Sequence, residues 1–238
     1  MPTYYPIFLN LIGKPCVVFG GGRAAEGKIS KLRDAGARVT VVSPRVTAGI
    51  QAAVQGGALE WRAREYQPGD LAGAFLGIAA TDVRSVNQLI FREAEELGVL
   101  LNVVDEPSQC TFIAPSILNR GQVTVAISTG GASPALARKL RESLSGSPAV
   151  EWADLAGVMS RARQQVKAQG VAVDPQRWQC SLTPELLRLA QAGRGEEALA
   201  ALLSDLLDAN TPQLCPTVDR CRPDGCCRKA EISPDVSK

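Results

Sequence analysis

The sequence contains no histidine, so any acid–base chemistry must come from carboxylates, lysines or tyrosines. This excludes a Ser-His-Asp or Cys-His nucleophile system and any imidazole-ligated metal. One carboxylate stands out by position, because Asp105 follows the apolar run LNVV and shortly precedes Pro107. A carboxylate at a buried strand end suits a general base, whereas on residue type alone a turn or N-cap aspartate is the simpler interpretation.

A second stretch that could take part in chemistry is the glycine loop GGGRAA, which matches the G-x-G-x-x-A dinucleotide fingerprint. It follows an apolar run and opens a helical pattern. Its glycines permit a tight turn and a close approach of a pyrophosphate, and the helix start supplies N–H donors. The pattern therefore predicts dinucleotide binding, against the alternative of a purely structural turn. The predicted cofactor contacts here are Gly20, Gly22, Arg23, Ala24 and Ala25.

The fingerprint departs from its usual form at the ribose site. An acidic residue is expected about twenty positions after the glycines, but Ser43, Pro44 and Arg45 hold that place. Ser43 can hydrogen-bond a ribose hydroxyl, and Arg45 can accommodate a 2′-phosphate, so these residues leave NAD and NADP equally open. A solvated loop arginine also fits.

Two further strand ends are predicted to reach the same site. In AATD, small residues would let a cofactor lie across the strand end, with Thr81 and Asp82 as contacts. Both residues also fit as N-caps of the helix that follows, and this is at least as good an interpretation for Asp82. Asn102, in the strand before Asp105, is predicted on the same edge.

The elements that must position these residues alternate between strand and helix. Apolar, β-prone runs predict strands at Cys16–Phe19, Ala37–Pro44, Leu59–Arg62, Phe75–Ala80 and Val99–Val104. Helical spacing predicts helices at Ala24–Ala35 and Val83–Leu97. This alternation predicts an α/β fold with a Rossmann-type, doubly wound parallel sheet.

The pattern changes after Asp105. The runs Thr111–Leu118 and Gln122–Thr129 predict a β-hairpin that turns at Asn119–Gly121. A helix follows, with Ser133 as N-cap, Pro134 in its first turn, and an apolar face. That face consists of Leu136, Leu140 and Leu144, and a helical region runs from Val150 to Ala209. We predict a nucleotide domain at 1–110, a hairpin-plus-helix region at 111–149, a helical region at 150–210 and a tail at 211–238.

Composition excludes several classes of protein. With 238 residues, 45% of them hydrophobic and 21% charged, the chain can bury a substantial core. A net charge of +2 does not favour nucleic-acid binding. The first apolar stretch lacks a basic flank and is broken by Pro6 and Asn10, so we expect neither a signal peptide nor a membrane span, and a cytoplasmic protein. Scattered Cys16, Cys110 and Cys180 read as reduced thiols.

Four stretches together resemble one family. In order and spacing, PIFLNLIGKPCVVFGGGRAAEGK, AATD with VNQ, NVVDEPSQCTFIAPSILNRG and VAISTGGASPALARKLRESL are similar to the precorrin-2 dehydrogenase module of siroheme synthases. The resemblance covers about residues 4–150 clearly and continues weakly into the helical region. It does not extend to the family's large methyltransferase domain, for which 238 residues leave no room.

The resemblance implies an NAD-dependent oxidation of precorrin-2 to sirohydrochlorin in siroheme synthesis. It implies that Asp105 is the essential base and that the cofactor is NAD. It also implies a homodimer formed through the region after the nucleotide domain, with a polycarboxylate substrate bound nearby. The candidate substrate contacts are Arg120, Ser128, Thr129, Gly130, Gly131 and Arg138, with Lys139 and Arg141 close in sequence. For the basic residues, an exposed helix face is the alternative.

Two other functions stay open at this point. Some family members also insert ferrous iron into sirohydrochlorin, and here Asp105 would then have to serve both reactions. A regulatory protein that senses NAD or binds a metal, without catalysis, is the alternative of another class.

The tail carries the other four cysteines, Cys215, Cys221, Cys226 and Cys227, in the pattern C-x5-C-x4-C-C. Four thiols could enclose zinc or an iron–sulfur cluster, but the paired C-x2-C spacing of zinc sites is missing. We predict a disordered, reduced tail with no metal, and residues 211–238 that are dispensable for dehydrogenation.

Overall fold

The computed structural model describes residues 4–207, so the predictions for the four tail cysteines lie outside the described residues. The first part of the chain forms a five-stranded, fully parallel sheet in the order β3-β2-β1-β4-β5. Its strands are β1 (Pro15–Phe19), β2 (Arg38–Val42), β3 (Glu60–Arg62), β4 (Leu76–Ala79) and β5 (Leu100–Val103). This order reverses direction at β1, as in Rossmann folds, and confirms the predicted fold class.

Apolar side chains leave the sheet on both faces. On β1, Cys16 and Val18 join one buried cluster, whereas Val17 and Phe19 join another on the opposite face. Helix α1 (Arg23–Asp34) and helix α2 (Ala48–Gln55) contribute to the first cluster, and helix α3 (Arg84–Leu97) contributes to the second. The sheet is therefore covered on both sides, which explains why its strands read as continuous apolar runs.

Helix α2 was missing from the sequence prediction. Its N-cap Thr47 accepts a hydrogen bond from the Ile50 backbone N–H, and Ile50 is the buried residue of this eight-residue helix. Gly49 lies in its first turn and weakens intrinsic helix formation. One buried side chain gives too little periodicity to indicate a helix.

The hairpin is present, but its first strand is shifted. Strands β6 (Ser116–Arg120) and β7 (Val123–Ile127) form a separate two-stranded sheet. The predicted start at Thr111 is wrong because that residue pairs with β5: its N–H donates to the Leu101 carbonyl at 2.9 Å and its hydroxyl accepts from the Leu101 N–H at 2.7 Å. Of the three residues predicted to form the turn, Asn119 and Arg120 belong to β6. Gly121, with φ of 56°, lies in the turn.

The rest of the described chain is helical, as predicted. Its helices are α4 (Pro134–Ser145), α5 (Pro148–Glu151), α6 (Ala156–Ala168), α7 (Pro175–Cys180), α8 (Pro184–Gln191) and α9 (Gly195–Leu207). Ser133 caps α4 by accepting a hydrogen bond from the Leu136 N–H. The face of α4 predicted from its leucines is largely exposed, with Leu136 at 51% and Leu140 at 43%, while Ala137 is buried.

The described residues fall into two compact units. The first holds residues 4–116 and 128–137, and the second holds residues 117–127 and 138–207. The second unit has its own apolar core, built on Leu155, Leu199 and Leu202. Among residues 4–207, no helix is both long enough and apolar enough to cross a membrane. The predicted boundaries at 110, 149 and 210 stay predictions.

Candidate functional site

The glycine loop leaves β1 at the carboxyl edge of the sheet and runs straight into α1. Gly20 has a φ of 110°, and a side chain there would collide with the Ala80 carbonyl oxygen. A side chain on Gly21 would collide with the Arg45 carbonyl oxygen. Gly22 differs, because no atom of the described chain outside its sequence neighbours lies within 4 Å of a Cβ built on it. Two glycines therefore serve chain packing, and the third leaves open space at the start of α1.

That open space belongs to a cavity of about 740 Å³ at the sheet edge. The chain segments that leave β1, β2, β3 and β4 all contribute to its walls. Predicted cofactor residues that line it are Gly20, Gly22, Arg23, Ala24, Ser43, Pro44, Arg45, Thr81 and Asp82. The first backbone N–H groups of α1 have no partner in the helix and suit an anionic group. The cradle thus fits a dinucleotide pyrophosphate.

The end of β2 has little hydrogen-bonding capacity left for a ribose. Ser43 is only 7% exposed, and its hydroxyl donates to the Arg45 carbonyl oxygen at 2.7 Å. The Ser43 carbonyl accepts from the Trp61 indole N–H at 2.8 Å. Arg45 itself is exposed at the cavity. Ser43 is therefore mainly a structural residue that holds the backbone of this turn.

The segment after β4 is held by a threonine and an asparagine. The Asn87 amide donates to the Thr81 carbonyl at 3.0 Å, and the Thr81 hydroxyl donates to the Asn87 amide oxygen at 2.7 Å. The N-cap position of α3 is Val83, which has no side-chain cap, so the interpretation of Asp82 as a cap is wrong. Asp82 is exposed and lines the cavity instead.

Two predicted cofactor contacts are packed inside the fold rather than at the cavity. Ala25, on α1, is fully buried in the core cluster on one face of the sheet. Asn102 is 8% exposed, and its amide donates to the Phe112 carbonyl at 3.1 Å and contacts the Cys110 sulfur at 3.5 Å. Neither residue lines the cavity of the described chain. Asn102 therefore positions the segment that follows β5, whereas Ala25 packs in the core on one face of the sheet.

Asp105 follows β5 with an unusual backbone. Its φ is 63°, and among residues 4–207 it is the one non-glycine residue with a positive φ. Aspartate tolerates this conformation better than most residues, but it still costs about 1 kcal/mol. Because Val103 pairs with Ala79 and the Val104 N–H donates to the Ala79 carbonyl, Asp105 emerges beside the cavity-lining residues after β4. Asp105 therefore follows a strand at the same sheet edge as the glycine loop and is exposed, but it is not among the residues that line the cavity.

Sequence reasoning missed Lys28, a half-buried cation on α1. Burial lowers the pKa of Lys28 below its ordinary value and the charge of Lys31 lowers it further, while the Asp105 carboxylate opposes both effects. The amine therefore interacts electrostatically with the group predicted to be the base. Its place on α1, a turn and a half after Gly22, was the available signal.

The segment after β3 forms another wall of the cavity that the sequence did not reveal. Glu65 and Tyr66 line the cavity, and Tyr66 packs edge-on against Phe19 with ring centroids 5.5 Å apart. The Tyr66 hydroxyl donates to Glu93, and burial followed by this hydrogen bond raises the pKa of Tyr66 well above its usual range. Asp70 anchors the same segment.

Asp70 is nearly buried, with its side chain 4% exposed, and it joins three parts of one loop. Its carboxylate accepts hydrogen bonds from Arg62 at 3.0 Å, from Arg64 at 2.6 and 2.7 Å, and from the Gln67 backbone N–H at 2.9 Å. The hydrogen bonds from Arg64 are the main cause that holds the pKa of Asp70 below its ordinary value. The loop is thus fixed by its own ion pairs.

The basic residues predicted to bind substrate lie in the second unit. Arg120, at the end of β6, forms a two-pronged pair with Asp154 at 2.7 and 2.6 Å, and Gln191 donates to the same carboxylate. Arg138, on α4, is 74% exposed and pairs with Glu142 four residues later. An exposed pair of that kind contributes little to stability, so Arg138 exchanges partners easily.

The predicted hydroxyl and glycine contacts form a turn in the first unit. Gly130 and Gly131 have φ values of 63° and 90°. The Thr129 hydroxyl accepts from the Ser133 N–H and donates to the Ser133 carbonyl, both at 3.1 Å. Ser128 is exposed, and its hydroxyl accepts from the Gly130 N–H. Thr129 therefore stabilises the turn, while Ser128 faces solvent.

A parallel sheet in Rossmann order, with a glycine loop opening a helix over an edge cavity, defines a dinucleotide-binding protein. Comparison with family models agrees: residues 7–116 match a family described as putative NAD(P)-binding, and residues 120–147 match the sirohaem biosynthesis protein central family. The chain is thus homologous to proteins of sirohaem biosynthesis.

Individual relatives show the same likeness. Siroheme synthase 1 of Aeromonas salmonicida is 42% identical over 209 residues, which cover 87% of this chain and 44% of that protein. The siroheme synthase of Neisseria meningitidis serogroup C is 38% identical, over 84% of this chain and 43% of its own length. The chain thus spans less than half the length of these curated relatives.

A solved structure matches this chain over nearly all of its own length. The precorrin-2 dehydrogenase SirC superposes with a TM-score of 0.66 at 26% identity, covering 84% of this chain and 98% of its own. This likeness confirms the predicted fold class, a Rossmann-type parallel sheet with helices. Together with the NAD(P)-binding family model, it also supports NAD, the predicted cofactor.

Proposed function

We propose that the chain is an NAD-dependent precorrin-2 dehydrogenase that produces sirohydrochlorin. The observation that carries this proposal is the pairing of β4 with β5, which places Asp105 next to the segment after β4 whose residues Thr81 and Asp82 line the cavity. In sheets of this order the dinucleotide lies across the carboxyl edge, with its nicotinamide half toward β4 and β5. A base is therefore available where a hydride acceptor would lie.

The oxidation removes two hydrogens from the substrate. NAD, when bound, accepts one of them as a hydride. Asp105 accepts the other as a proton, and its exposed carboxylate can pass that proton on to water. Residues at the glycine loop hold the pyrophosphate, and Thr81, fixed by Asn87, shapes the nicotinamide side of the cavity.

For the substrate, we propose that its carboxylates bind to cationic and hydroxyl groups after the nucleotide domain. Arg138 is suited to this because its present pair with Glu142 is exposed. Ser128 and the turn at Gly130 and Gly131 offer a hydroxyl and backbone donors. Arg120 contributes less to substrate binding, because it would first have to break its two hydrogen bonds to Asp154.

We also propose a homodimer formed through β6, β7 and α4. A two-stranded sheet is marginal in water by itself, and the strands of this one alternate between half-buried and exposed positions. Leu136 and Leu140 add exposed apolar area on α4. A second copy that packs against these elements would cover their exposed apolar side chains and stabilise the hairpin.

A cytoplasmic location completes the proposal. Cys16 and Cys110 form no disulfide within the described chain. Burial raises the pKa of the Cys16 thiol to about 11, which keeps it protonated and inert. Both features fit a protein that works in a reducing compartment.

The proposed test is anaerobic turnover of precorrin-2 with NAD, followed by the absorbance of NADH and of the tetrapyrrole. We expect turnover in the wild type and a loss of about 100-fold or more in Asp105→Asn, which keeps the size and backbone tolerance of the residue. Asp105→Gly should be equally inactive but more stable by about 0.5–1 kcal/mol, because glycine relieves the positive φ.

Glu106→Gln is the matched control, since that carboxylate bonds locally to Ser108. Wild-type rates in both Asp105 variants would contradict the assignment of the base. An NAD-binding protein that leaves precorrin-2 unchanged would instead indicate the regulatory alternative. Ferrous iron added after complete oxidation shows directly whether the chain is also a chelatase.

A further inference from the structure

The cavity has an adenosine side where two chain segments leave the sheet together. Strands β2 and β3 are parallel neighbours, and Val42 pairs with Arg62. Arg45 and Glu65 lie equally far beyond these paired residues. Both line the cavity, and both are exposed. An arginine and a glutamate thus flank the place where the adenosine ribose lies in a Rossmann domain.

The end of β2 provides no carboxylate for a ribose, and its Ser43 is only 7% exposed. Its usual acidic residue is replaced by Ser43, whose hydroxyl proton is already committed to the Arg45 carbonyl at 2.7 Å. Pro44 has no N–H to offer. A carboxylate that accepts hydrogen bonds from ribose hydroxyls must therefore come from another strand.

Glu65 meets this requirement. Within the part of the chain that the structure describes, the cavity is lined by two carboxylates, Glu65 after β3 and Asp82 after β4. Strand β4 lies on the other side of β1 from β2, so Asp82 belongs to the nicotinamide side. Among the described residues, the Glu65 carboxylate has neither an ion pair nor a hydrogen bond that would occupy it.

The backbone at Glu65 is also fixed. On one side Arg64 binds Asp70 through two hydrogen bonds, and on the other Tyr66 binds Glu93 and packs against Phe19. Glu65 therefore presents its carboxylate from a defined position rather than from a loose loop.

We propose that Glu65 is the residue that selects NAD over NADP. Its carboxylate accepts a hydrogen bond from the 2′-hydroxyl of the adenosine ribose, and its negative charge repels a 2′-phosphate. The positive charge of Arg45 attracts a 2′-phosphate. The negative charge of Glu65, which lies equally far beyond its strand, offsets this attraction. The inference rests on the proposed function, because it assumes that the cavity holds a nicotinamide dinucleotide.

The test is calorimetric binding of NAD and NADP to the full chain, without substrate. The measured quantity is the ratio of the two dissociation constants, Kd for NADP over Kd for NAD. We expect the wild type to prefer NAD and Glu65→Gln to lower the ratio about tenfold or more, since a hydrogen bond to a charged acceptor is lost and a repulsion is removed. Arg45→Gln should raise the ratio.

Glu95→Gln is the matched control, an exposed carboxylate on α3 outside the cavity. A ratio in Glu65→Gln that stays within twofold of the wild type, with NAD still bound, would overturn the inference and leave the proposed function intact. A wild type that prefers NADP would overturn it as well. A wild type that binds neither dinucleotide would refute both. Circular dichroism of each variant confirms folding.

Discussion

Gly22→Val is the substitution that best separates cofactor binding from folding. The backbone at Gly22 has φ of −82° and ψ of −175°, an extended conformation that valine adopts readily. No described atom outside its sequence neighbours lies within 4 Å of a Cβ at this position. The folded chain can therefore accept the side chain, and we expect the free energy of unfolding to change by about 0.5 kcal/mol or less.

The effect on NAD should be large because valine adds three carbon atoms where the pyrophosphate approaches the start of α1. Displacing the pyrophosphate from Arg23 and Ala24 would remove two charge-assisted backbone hydrogen bonds, each worth about 1.5–3 kcal/mol. The combined loss of about 3 kcal/mol or more corresponds to a Kd that rises at least about 100-fold.

Titration calorimetry with NAD measures this change, and thermal unfolding without NAD checks the fold. Gly27→Val is the matched control, since Gly27 is an exposed position of α1 with equally open space around it. It should leave the Kd unchanged. NAD binding by Gly22→Val within threefold of the wild type would refute the assignment of the glycine loop. A large loss of thermal stability in Gly22→Val would refute the distinction between Gly22, which has open space around it, and the packed Gly20 and Gly21.

Two further predictions concern stability and assembly. Asp70→Asn should lower the free energy of unfolding at pH 7 by about 2–3 kcal/mol, less than the loss of a fully buried pair because both arginine partners reach solvent. Since the pKa of Asp70 is lowered in the folded state, this stabilisation is present above pH 3.8 and is lost as the pH falls through the lower folded pKa, so urea unfolding of the two proteins should converge there. Leu136→Asp should convert the dimer to a monomer in analytical ultracentrifugation, whereas Leu89→Asp, with a leucine of similar exposure on α3, should remain dimeric. A monomeric wild type would contradict the proposed assembly.

The strands and long helices could be predicted because local patterns and tertiary structure agree there. Each central strand is an apolar run that buries both faces, and α1 and α3 show clear apolar faces. The start of β6 could not be predicted, because Thr111 pairs with Leu101 through a contact between separate segments. The β-branched side chain of Thr111 correctly indicated an extended backbone, but the residue pairs with β5 and not with β7. Helix α2 depends mainly on Thr47 and Ile50, a signal too short to recognise.

The site was predictable where a residue follows a strand directly. The glycine loop, Arg45 and Thr81 reach the cavity because parallel strands bring their carboxyl ends to one edge. Glu65 and Lys28 escaped notice because their interactions depend on the order of strands and on which residues of α1 lie near Asp105, neither of which appears in the local sequence. Asn102 was misplaced for the opposite reason: it occupies the right strand, but its side chain turns into the fold.

The loop between β3 and β4 is held by side chains where secondary structure is missing. The carboxylates of Asp70 and Glu93 accept hydrogen bonds from the backbone N–H groups of Gln67, Gly69 and Leu71. We expect these amides to exchange more slowly with solvent than unbonded loop amides, although they belong to no helix or strand. The wall that carries Tyr66 is thus ordered before a ligand arrives. Binding then avoids the cost of immobilising that wall, about 0.5–1.5 kcal/mol for each side chain that is already fixed.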